Sequence, residues 1–339
     1  MKKINIGLIG CGYWGQNFAR IIDNSANCKL FAIADSDAKR IEQIRQQYPH
    51  VKTVTDTNEL LNSKEIEAVV VATPVSTHFK IVKQALENDK HVLCEKVLSD
   101  KIEEIKILQE LARKKELTLL VGFTFLFNSV VRHIKQAIEN DELGKMQYLT
   151  FKRTGHGLVR HDVDVVNDLA SHDISILLHW MGMPEWVSCT TRAILGKGHA
   201  DMAFMQMGYA NGIIASVHVS WVSPLKQRII EITGDKCMMI FDDVQTSEKL
   251  RIIKSDREYQ SLSSDFGSFQ LAVKSGDILI PNVNYPEPLI NELETFTRCI
   301  GKKEKLPNEF DLSGKIWQIV DCAYASNAQL GKQISINIT

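Results

Sequence analysis

The chain has 339 residues, of which 44% are hydrophobic and 24% charged, a balance typical of globular proteins rather than of disordered or fibrous chains. At roughly 150 residues per domain, this length predicts about two domains. Forty basic and forty-one acidic side chains leave a net charge of −1, which gives no field that would attract nucleic acid or an anionic membrane. No sequence window approaches the ~18 consecutive apolar residues of a membrane span. We therefore expect neither a nucleic acid nor a membrane partner.

Seven cysteines are dispersed along the sequence, and no two of them form a CxxC metal or redox motif. An odd, scattered set of thiols indicates a reducing compartment, so we expect a cytoplasmic protein. The start of the chain resembles a lipoprotein signal that ends at Cys11, but the apolar segment before this cysteine is too short and is interrupted by Asn5.

Short apolar runs alternate with amphipathic segments over residues 1–122. This alternation predicts a parallel, doubly wound sheet, and hence an α/β Rossmann domain over residues 1–122. The predicted strands are residues 4–9, 30–34, 68–72, 91–94 and 117–121, and the predicted helices follow Gly12 and cover residues 37–48, 59–61, 77–88 and 101–115.

After Gly122 the pattern changes to two helices, at residues 129–140 and 168–181, and then mainly to strands. Asn211-Gly212 between two strand patterns predicts a tight hairpin, because both residue types tolerate positive φ. A similar pair of strands surrounds Gly234-Asp235, and two helices, at residues 289–300 and 313–330, close the chain. We therefore predict that residues 123–339 form an α+β domain with a largely antiparallel sheet.

A glycine motif, Gly10-x-Gly12-x-x-Gly15, lies between the first predicted strand and helix. In that context the glycines permit a tight turn, a close approach to a pyrophosphate and close helix packing, and the helix N-terminus stabilises the phosphate charge. Asp35 ends the second strand, where its carboxylate would accept from the adenosine ribose hydroxyls. Its charge favours NAD over NADP, although Arg40 lies near enough to reduce this preference.

Two further groups of residues follow the third and fourth strands, at the edge where ligands bind in such folds. Thr73, Pro74 and His78 follow the third strand, and the fourth ends at Glu95-Lys96. A lysine there could donate to a substrate oxygen or take its proton. The structural alternative for Thr73, Pro74 and His78 is a turn followed by a helix cap. The alternative for Lys96 is an ordinary solvated lysine at the end of a strand.

Asp164, Asp168 and His172 are spaced four residues apart, so in a helix they share one face. A carboxylate beside an imidazole suits the proton acceptor of an alcohol oxidation. Asp168 could instead be a helix cap. A metal site built from His156, His161, His172 and an aspartate is a further alternative, which the loose spacing disfavours.

Taken together, these motifs resemble the Gfo/Idh/MocA family, named for glucose-fructose oxidoreductase and inositol dehydrogenase. The resemblance covers nearly the whole chain. Its members oxidise or reduce carbinols of sugars, cyclitols and nucleotide sugars with NAD or NADP. The segments that carry it, in chain order, are Gly10-x-Gly12-x-Trp14-Gly15, Ala72-Thr73-Pro74-x-x-Thr77-His78, Glu95-Lys96, Val121-Gly122 and Asp168-x-x-x-His172-Asp173.

The resemblance implies that Lys96 is the catalytic lysine and that Asp168 and His172 are the catalytic carboxylate and histidine. It also implies a large open sheet in the second domain, often used to dimerise, and so a homodimer or homotetramer. The expected cofactor contacts are Gly10, Gly12, Tyr13, Trp14, Gly15, Asp35, Thr73, Pro74, His78, Glu95 and Asn128.

Residues 160–175 further resemble a branch linked with nucleotide-sugar pathways. Within and near this segment, Arg153, Arg160 and His161 could meet a substrate diphosphate or carboxylate, in addition to the three catalytic candidates. The chain departs from the family pattern at Val97, where a proline is usual, and at Asn167 and Ser171, where this branch commonly has Trp and Pro.

The sequence thus predicts an NAD-dependent dehydrogenase in which His172 takes the hydroxyl proton, Lys96 polarises the same oxygen and Asp168 orients His172. A nucleotide-linked sugar, of the UDP-N-acetylhexosamine type, is the favoured substrate, with inositol or a free sugar as the alternative. Two other classes stay open: a sensor that binds NAD and a sugar without turnover, and a deaminating or eliminating enzyme that uses NAD only transiently.

Overall fold

A computed structural model describes residues 3–157, 163–196, 198–255, 275–302, 304, 306 and 311–336. The chain forms two compact units, Met1–Asn128 with Pro286–Trp317, and Ser129–Tyr285 with Gln318–Thr339. The boundary predicted after residue 122 lies close to the first break. The return of the chain to the first unit at Pro286 was not predicted.

The first unit contains a sheet of six parallel strands in the order β3-β2-β1-β4-β5-β6. This confirms the predicted doubly wound fold, and the short strand β3 is the one strand of this sheet that was not predicted. The strands are β1 (Ile4–Ile9), β2 (Cys28–Ala34), β3 (Lys52–Val54), β4 (Ala68–Val71), β5 (His91–Glu95) and β6 (Leu119–Gly122). The helices are α1 (Tyr13–Asp23), α2 (Ala38–Gln47), α3 (Thr57–Leu61), α4 (Val75–Glu87) and α5 (Ile102–Lys114), and a 3₁₀ turn follows at Thr124–Phe127.

The middle of this sheet is buried on both faces, because helices cover both sides of a doubly wound sheet. Every residue of β4 is fully buried, as are Ile6 and Leu8 of β1. These strands therefore read as continuous apolar runs in the sequence. All six strands point the same way, so their carboxyl ends form one edge.

The second unit contains a mixed sheet of nine strands in the order β14-β13-β12-β11-β7-β10-β9-β8-β15. Only β7 and β10 pair in parallel within the described chain, and the other neighbours are antiparallel. The strands are β7 (Met146–Thr154), β8 (Trp186–Arg192), β9 (Met202–Gly208), β10 (Ile214–Ser220), β11 (Gln227–Gly234), β12 (Cys237–Asp242), β13 (Leu250–Ser255), β14 (Ser275–Leu279) and β15 (Ile334–Ser335). Two helices of this unit are α6 (Ser129–Glu139) and α7 (Ser171–Met181), and a π-helix at Val166–Ala170 leads into α7.

The hairpin predicted between β9 and β10 is confirmed. Its turn places Asn211 at φ 71° and Gly212 at φ 76°, both in the left-handed region that these residue types tolerate. The predicted pair around Gly234-Asp235 also forms, as antiparallel β11 and β12. Both turns depend on the residue types at the turn itself, and the sequence was therefore enough to predict them.

The nine-stranded sheet has one buried and one exposed face. Ala203, Met205 and Met207 of β9 are buried, whereas Phe204 between them is 52% exposed. Such alternation is expected for a sheet that packs on one side only.

Two helices close the chain, α8 (Pro288–Gly301) and α9 (Ser313–Ala328). Helix α8 belongs to the first unit, where it packs against the 3₁₀ turn at Thr124–Phe127 and against α1. None of the helices in the described ranges combines the length and the apolar character that crossing a bilayer requires.

Candidate active site

The loop between β1 and α1 needs each of its three glycines for a different reason. Gly10 has φ 86°, and a Cβ there would lie 2.7 Å from the Ala72 carbonyl oxygen. A Cβ on Gly15 would collide with the carbonyl of Gly10, whereas a Cβ on Gly12 would meet nothing within 4 Å. Gly10 and Gly15 are thus required by the fold, and Gly12 leaves open space in front of the loop.

The N-terminus of α1 is suited to an anion. Gly12 is the cap residue, no side chain of the described residues caps the helix, and the first turn holds no acidic residue. The first N–H groups of the helix therefore stay available, and the helix dipole favours negative charge there. Tyr13 and Trp14 flank this end, 73% and 44% exposed, with their rings edge to face at 5.6 Å. This arrangement fits a dinucleotide pyrophosphate.

Asp35 follows β2 and is 7% exposed. Its Oδ2 accepts from the Cys11 N–H at 2.7 Å and its Oδ1 from the Asp37 N–H at 2.9 Å, and Arg40 Nη1 donates to both oxygens at 3.0 to 3.1 Å. Burial by itself raises the pKa of Asp35, but the two N–H groups and the guanidinium together lower it below its usual value. The carboxylate is therefore ionised and fixed beside the glycine loop, where a ribose acceptor is required.

The segment after β4 is held from inside by His78. Its imidazole is fully buried, and the two ring nitrogens lie 2.8 Å from the carbonyl oxygens of Val97 and Thr73. The Thr77 hydroxyl lies 2.7 Å from the Thr73 hydroxyl oxygen and 2.7 Å from the Pro74 carbonyl oxygen. The side chain of His78 thus joins two loops at the sheet edge, and its predicted contact with the cofactor stays a prediction.

The carboxyl end of β5 carries Glu95 and Lys96, each 8% exposed, and the Lys96–Val97 peptide bond is cis. Asn128, 6% exposed, follows the 3₁₀ turn after the neighbouring strand β6. The predicted residues of the first unit thus lie on segments that leave the carboxyl ends of β1, β2, β4, β5 and β6.

Glu292 of α8 is a residue of this edge that the sequence did not single out. It is fully buried, and a Cβ on Gly122 would lie 2.9 Å from its Oε1. Gly122 is in register with Glu95 across β5 and β6. Burial, and then the charge of Glu95, raise the pKa of Glu292 well above its usual value, although the Thr124 hydroxyl opposes this. The shift therefore favours the protonated, neutral form of this carboxyl.

Asp168 and His172 lie in the second unit, on the π-helix and on the first turn of α7, and both are half-buried. π-helical turns are rare and often mark functional sites. The cap of this segment is Asp164, whose Oδ1 accepts from the N–H groups of Val166 and Asn167 at 3.1 and 3.0 Å. The alternative that Asp168 is the cap is therefore wrong, since Asp164 holds that position.

Arg153, predicted to meet a substrate anion, is 5% exposed and paired with Asp173. Its Nη2 donates to Asp173 Oδ1 at 2.6 Å and its Nε to both carboxylate oxygens. Burial raises the pKa of Asp173 and the guanidinium opposes this. The guanidinium thus joins β7 to α7, and a role in substrate binding stays a prediction.

Arg160 and His161 lie outside the described residues. His156 is exposed. Within the described ranges, no three or more His, Cys, Asp or Glu side chains are grouped as a metal site requires. The alternative of a metal site that includes His161 remains untested.

Comparison with known proteins identifies both units. Residues 4–123 match the family model described as "Oxidoreductase family, NAD-binding Rossmann fold", and residues 131–240 match the "GFO/IDH/MocA C-terminal domain". The chain is therefore an oxidoreductase, and NAD is its cofactor.

Three similar proteins illustrate the range of relatives. Myo-inositol 2-dehydrogenase of Thermotoga maritima is 26% identical over 348 residues, which cover 99% of this chain and 98% of that protein. UDP-N-acetylglucosamine 3-dehydrogenase of Acidithiobacillus ferrooxidans is 27% identical over 223 residues, 66% of this chain and 68% of that protein. A solved structure of levoglucosan dehydrogenase with NADH and L-sorbose has a TM-score of 0.82 at 18% identity, and the match covers 99% of this chain and all of that one.

The two family models match the Rossmann unit and the first strands of the nine-stranded sheet, and the order of the motifs agrees with them: the chain belongs to the Gfo/Idh/MocA family of NAD-dependent oxidoreductases.

Proposed function

We propose that this enzyme oxidises or reduces a ring carbinol of a nucleotide-linked sugar. The observation that carries the proposal is the ionised Asp35 beside an uncapped helix N-terminus, in a unit where the buried Lys96 directly follows β5. The UDP-N-acetylglucosamine 3-dehydrogenase relative and the resemblance of residues 160–175 to the nucleotide-sugar branch support this substrate class.

Bound NAD would supply the hydride acceptor, and the chain's residues would manage binding and the proton. Lys96 would donate a hydrogen bond to the substrate oxygen and so stabilise the charge that develops there. His172 would take the hydroxyl proton, and Asp168 would favour its charged form. Arg160 and His161 remain the candidates for contact with a substrate diphosphate.

Inositol or another free polyol is the second candidate, because the myo-inositol 2-dehydrogenase relative spans almost the whole chain. The two candidates differ in the anion that the substrate carries. A nucleotide sugar brings a diphosphate, whereas an inositol brings only hydroxyl groups, so the two classes should be separated by a single substrate panel.

The test is NADH formation, followed by its near-ultraviolet absorbance, with UDP- and dTDP-linked sugars, inositols and free sugars, for the native enzyme and for Lys96→Ala and His172→Ala. We expect turnover with one class of substrate and a loss of about 10² or more in either variant. Full activity in both variants would refute the proposed roles of Lys96 and His172. Sugar binding that raises the melting temperature without any turnover would favour the sensor.

We also propose a homodimer or homotetramer that works in the cytoplasm. The exposed face of the nine-stranded sheet carries Phe204 stacked on His218 at 4.2 Å, and Tyr148 and Ile214 face each other on β7 and β10, 44% and 43% exposed. An apolar face of this kind suits a second copy of the chain. All seven cysteines are thiols, as a reducing compartment requires. Light scattering on the purified protein would test the assembly, and a monomer would refute it.

A further inference from the structure

Tyr324 of α9 forms a closed set of hydrogen bonds with the segment that leads to the catalytic candidates. Its hydroxyl oxygen lies 2.9 Å from both carboxylate oxygens of Asp164, and Asn167 Nδ2 donates to it at 2.7 Å. Asp164 in turn accepts from the backbone N–H of Asn167. We call Asp164, Asn167 and Tyr324 the cap ring.

The direction of each bond in the cap ring follows from its chemistry. An ionised carboxylate only accepts, so the phenol proton must go to Asp164, and the phenol oxygen is left to accept from the amide of Asn167. Burial, and then the charge of Asp164, raise the pKa of Tyr324. The phenol therefore keeps its proton and continues to donate over the whole working pH range.

The cap ring connects the π-helix to a rigid support. Next to Tyr324 on α9, Ser326 Oγ accepts from the Cys189 N–H of β8 at 2.9 Å and donates to the Lys332 carbonyl at 2.6 Å. Asn327 Oδ1 accepts from the Thr191 N–H, also of β8, at 2.9 Å. Tyr324 thus stands on a helix that is bonded directly to the nine-stranded sheet.

Asp168 and His172 depend on this support through the backbone. The Asp168 N–H donates to the carbonyl of Asp164 at 2.9 Å, and Ser171 Oγ donates to the carbonyl of Asn167 at 2.6 Å. Both bonds connect a member of the cap ring to the turn that carries the two candidates. A shift of the cap ring would therefore move Asp168 and His172 together.

We infer that Tyr324 is a positioning residue for the proton-accepting step, acting through Asp164 and Asn167 on the π-helix that carries Asp168 and leads to His172. This inference rests on the proposed roles of Asp168 and His172. Supporting residues of this kind matter because a displacement of about 1 Å at a reacting group can cost about 10²-fold in rate.

The first experiment measures turnover of the active sugar by Tyr324→Phe, by Asn167→Ala and by the double variant. We expect kcat to fall by about 10- to 100-fold in each single variant, with little further loss in the double variant because the ring acts as a unit. The affinity for NAD should not change. The limb of the pH–rate profile that reports the general base should move, because the imidazole has lost its fixed surroundings.

Tyr209→Phe is the matched control. Tyr209 is 5% exposed, and its hydroxyl has no hydrogen-bond partner among the described residues. Removing this hydroxyl changes the same chemical group in the same unit without breaking a bond, so kcat and the pH profile should stay as in the native enzyme. A further combination, Tyr324→Phe with His172→Ala, should lose no more activity than His172→Ala alone.

Hydrogen exchange of the amides of residues 163–175 provides a reading that does not require a substrate. We expect faster exchange in Tyr324→Phe than in the native protein or in Tyr209→Phe, because opening of the first turn becomes easier. Unchanged exchange would overturn the inference, and so would faster exchange with unchanged kcat and pH profile. Failure of the proposed function would show differently, as full activity in His172→Ala.

Discussion

Replacing Glu292 by glutamine should remove a pH dependence from the stability of the first unit. Glu292 is fully buried, and the Thr124 hydroxyl only partly opposes the effect of burial on its carboxyl. Burial and then Glu95 raise its pKa well above the usual value. The folded protein therefore holds a proton on this carboxyl at pH values where the unfolded chain has released it.

The sign and size of the effect follow from that one proton. Between the unfolded pKa and the raised folded pKa, the native state binds one proton more than the unfolded state, so the free energy of unfolding falls as pH rises. The slope is about 1.4 kcal/mol per pH unit. This contribution to stability is fully present below the unfolded pKa and is lost progressively toward the folded pKa.

Glutamine has nearly the shape of the neutral acid but no proton to lose. For each pH unit between the unfolded and the folded pKa of Glu292, the free energy of unfolding of Glu292→Gln should therefore rise by up to about 1.4 kcal/mol relative to that of the native protein. A buried amide carries its own desolvation cost, but this cost does not vary with pH, so the difference in slope is the quantity to read.

The assay is urea unfolding followed by circular dichroism at several pH values. Glu294→Gln is the control, because Glu294 lies on the same helix and is exposed, so its curve should run parallel to that of the native protein. Parallel curves for Glu292→Gln and the native protein would refute the assignment of a proton to Glu292. An ionised Glu292 would have to be paired in some other way.

Other substitutions separate residues required by the fold from residues kept for ligands. Gly12→Val should leave the melting temperature unchanged and abolish NAD binding in calorimetry, whereas Gly15→Ala should unfold the protein at lower temperature because its Cβ meets the backbone of Gly10. Arg153→Met should cost about 3 to 5 kcal/mol in urea unfolding, because it leaves the buried carboxylate of Asp173 without its cation. Asp35→Ala should weaken NAD more than NADP, which competition kinetics would show.

The sequence was sufficient for the first sheet because its signals are local. Each strand of a parallel sheet that is buried on both faces is an apolar run, and each crossover helix has its own amphipathic period. β3 was missed because it has only three residues, Lys52–Val54, too few to show a period. The loop glycines and Asp35 were found for the same local reason, since the motif and its carboxylate lie within one βαβ unit.

The second sheet was predicted less completely because its order is not that of the chain. β7 pairs with β10 and β11, and β15 joins β8 from the end of the chain. The strands β8, β13, β14 and β15 were missed. Hairpins with a strong turn were found, but pairings between distant segments leave no local trace.

The residues that support the site were missed for a related reason. Glu292 lies far beyond Glu95 in the chain, and Tyr324 lies far beyond the turn that it holds. One signal was present for Glu292, because it falls on the apolar face of α8 between Leu289 and Phe296, both buried. A carboxyl on such a face is expensive to bury, so its presence indicates a site.

The three positions at which the chain departs from the family pattern all take part in hydrogen bonds. The carbonyl of Val97 lies within hydrogen-bond distance of His78, the amide of Asn167 donates to Tyr324, and the hydroxyl of Ser171 donates to the carbonyl of Asn167. Each changed position therefore takes part in bonds that hold Lys96 or the turn before His172.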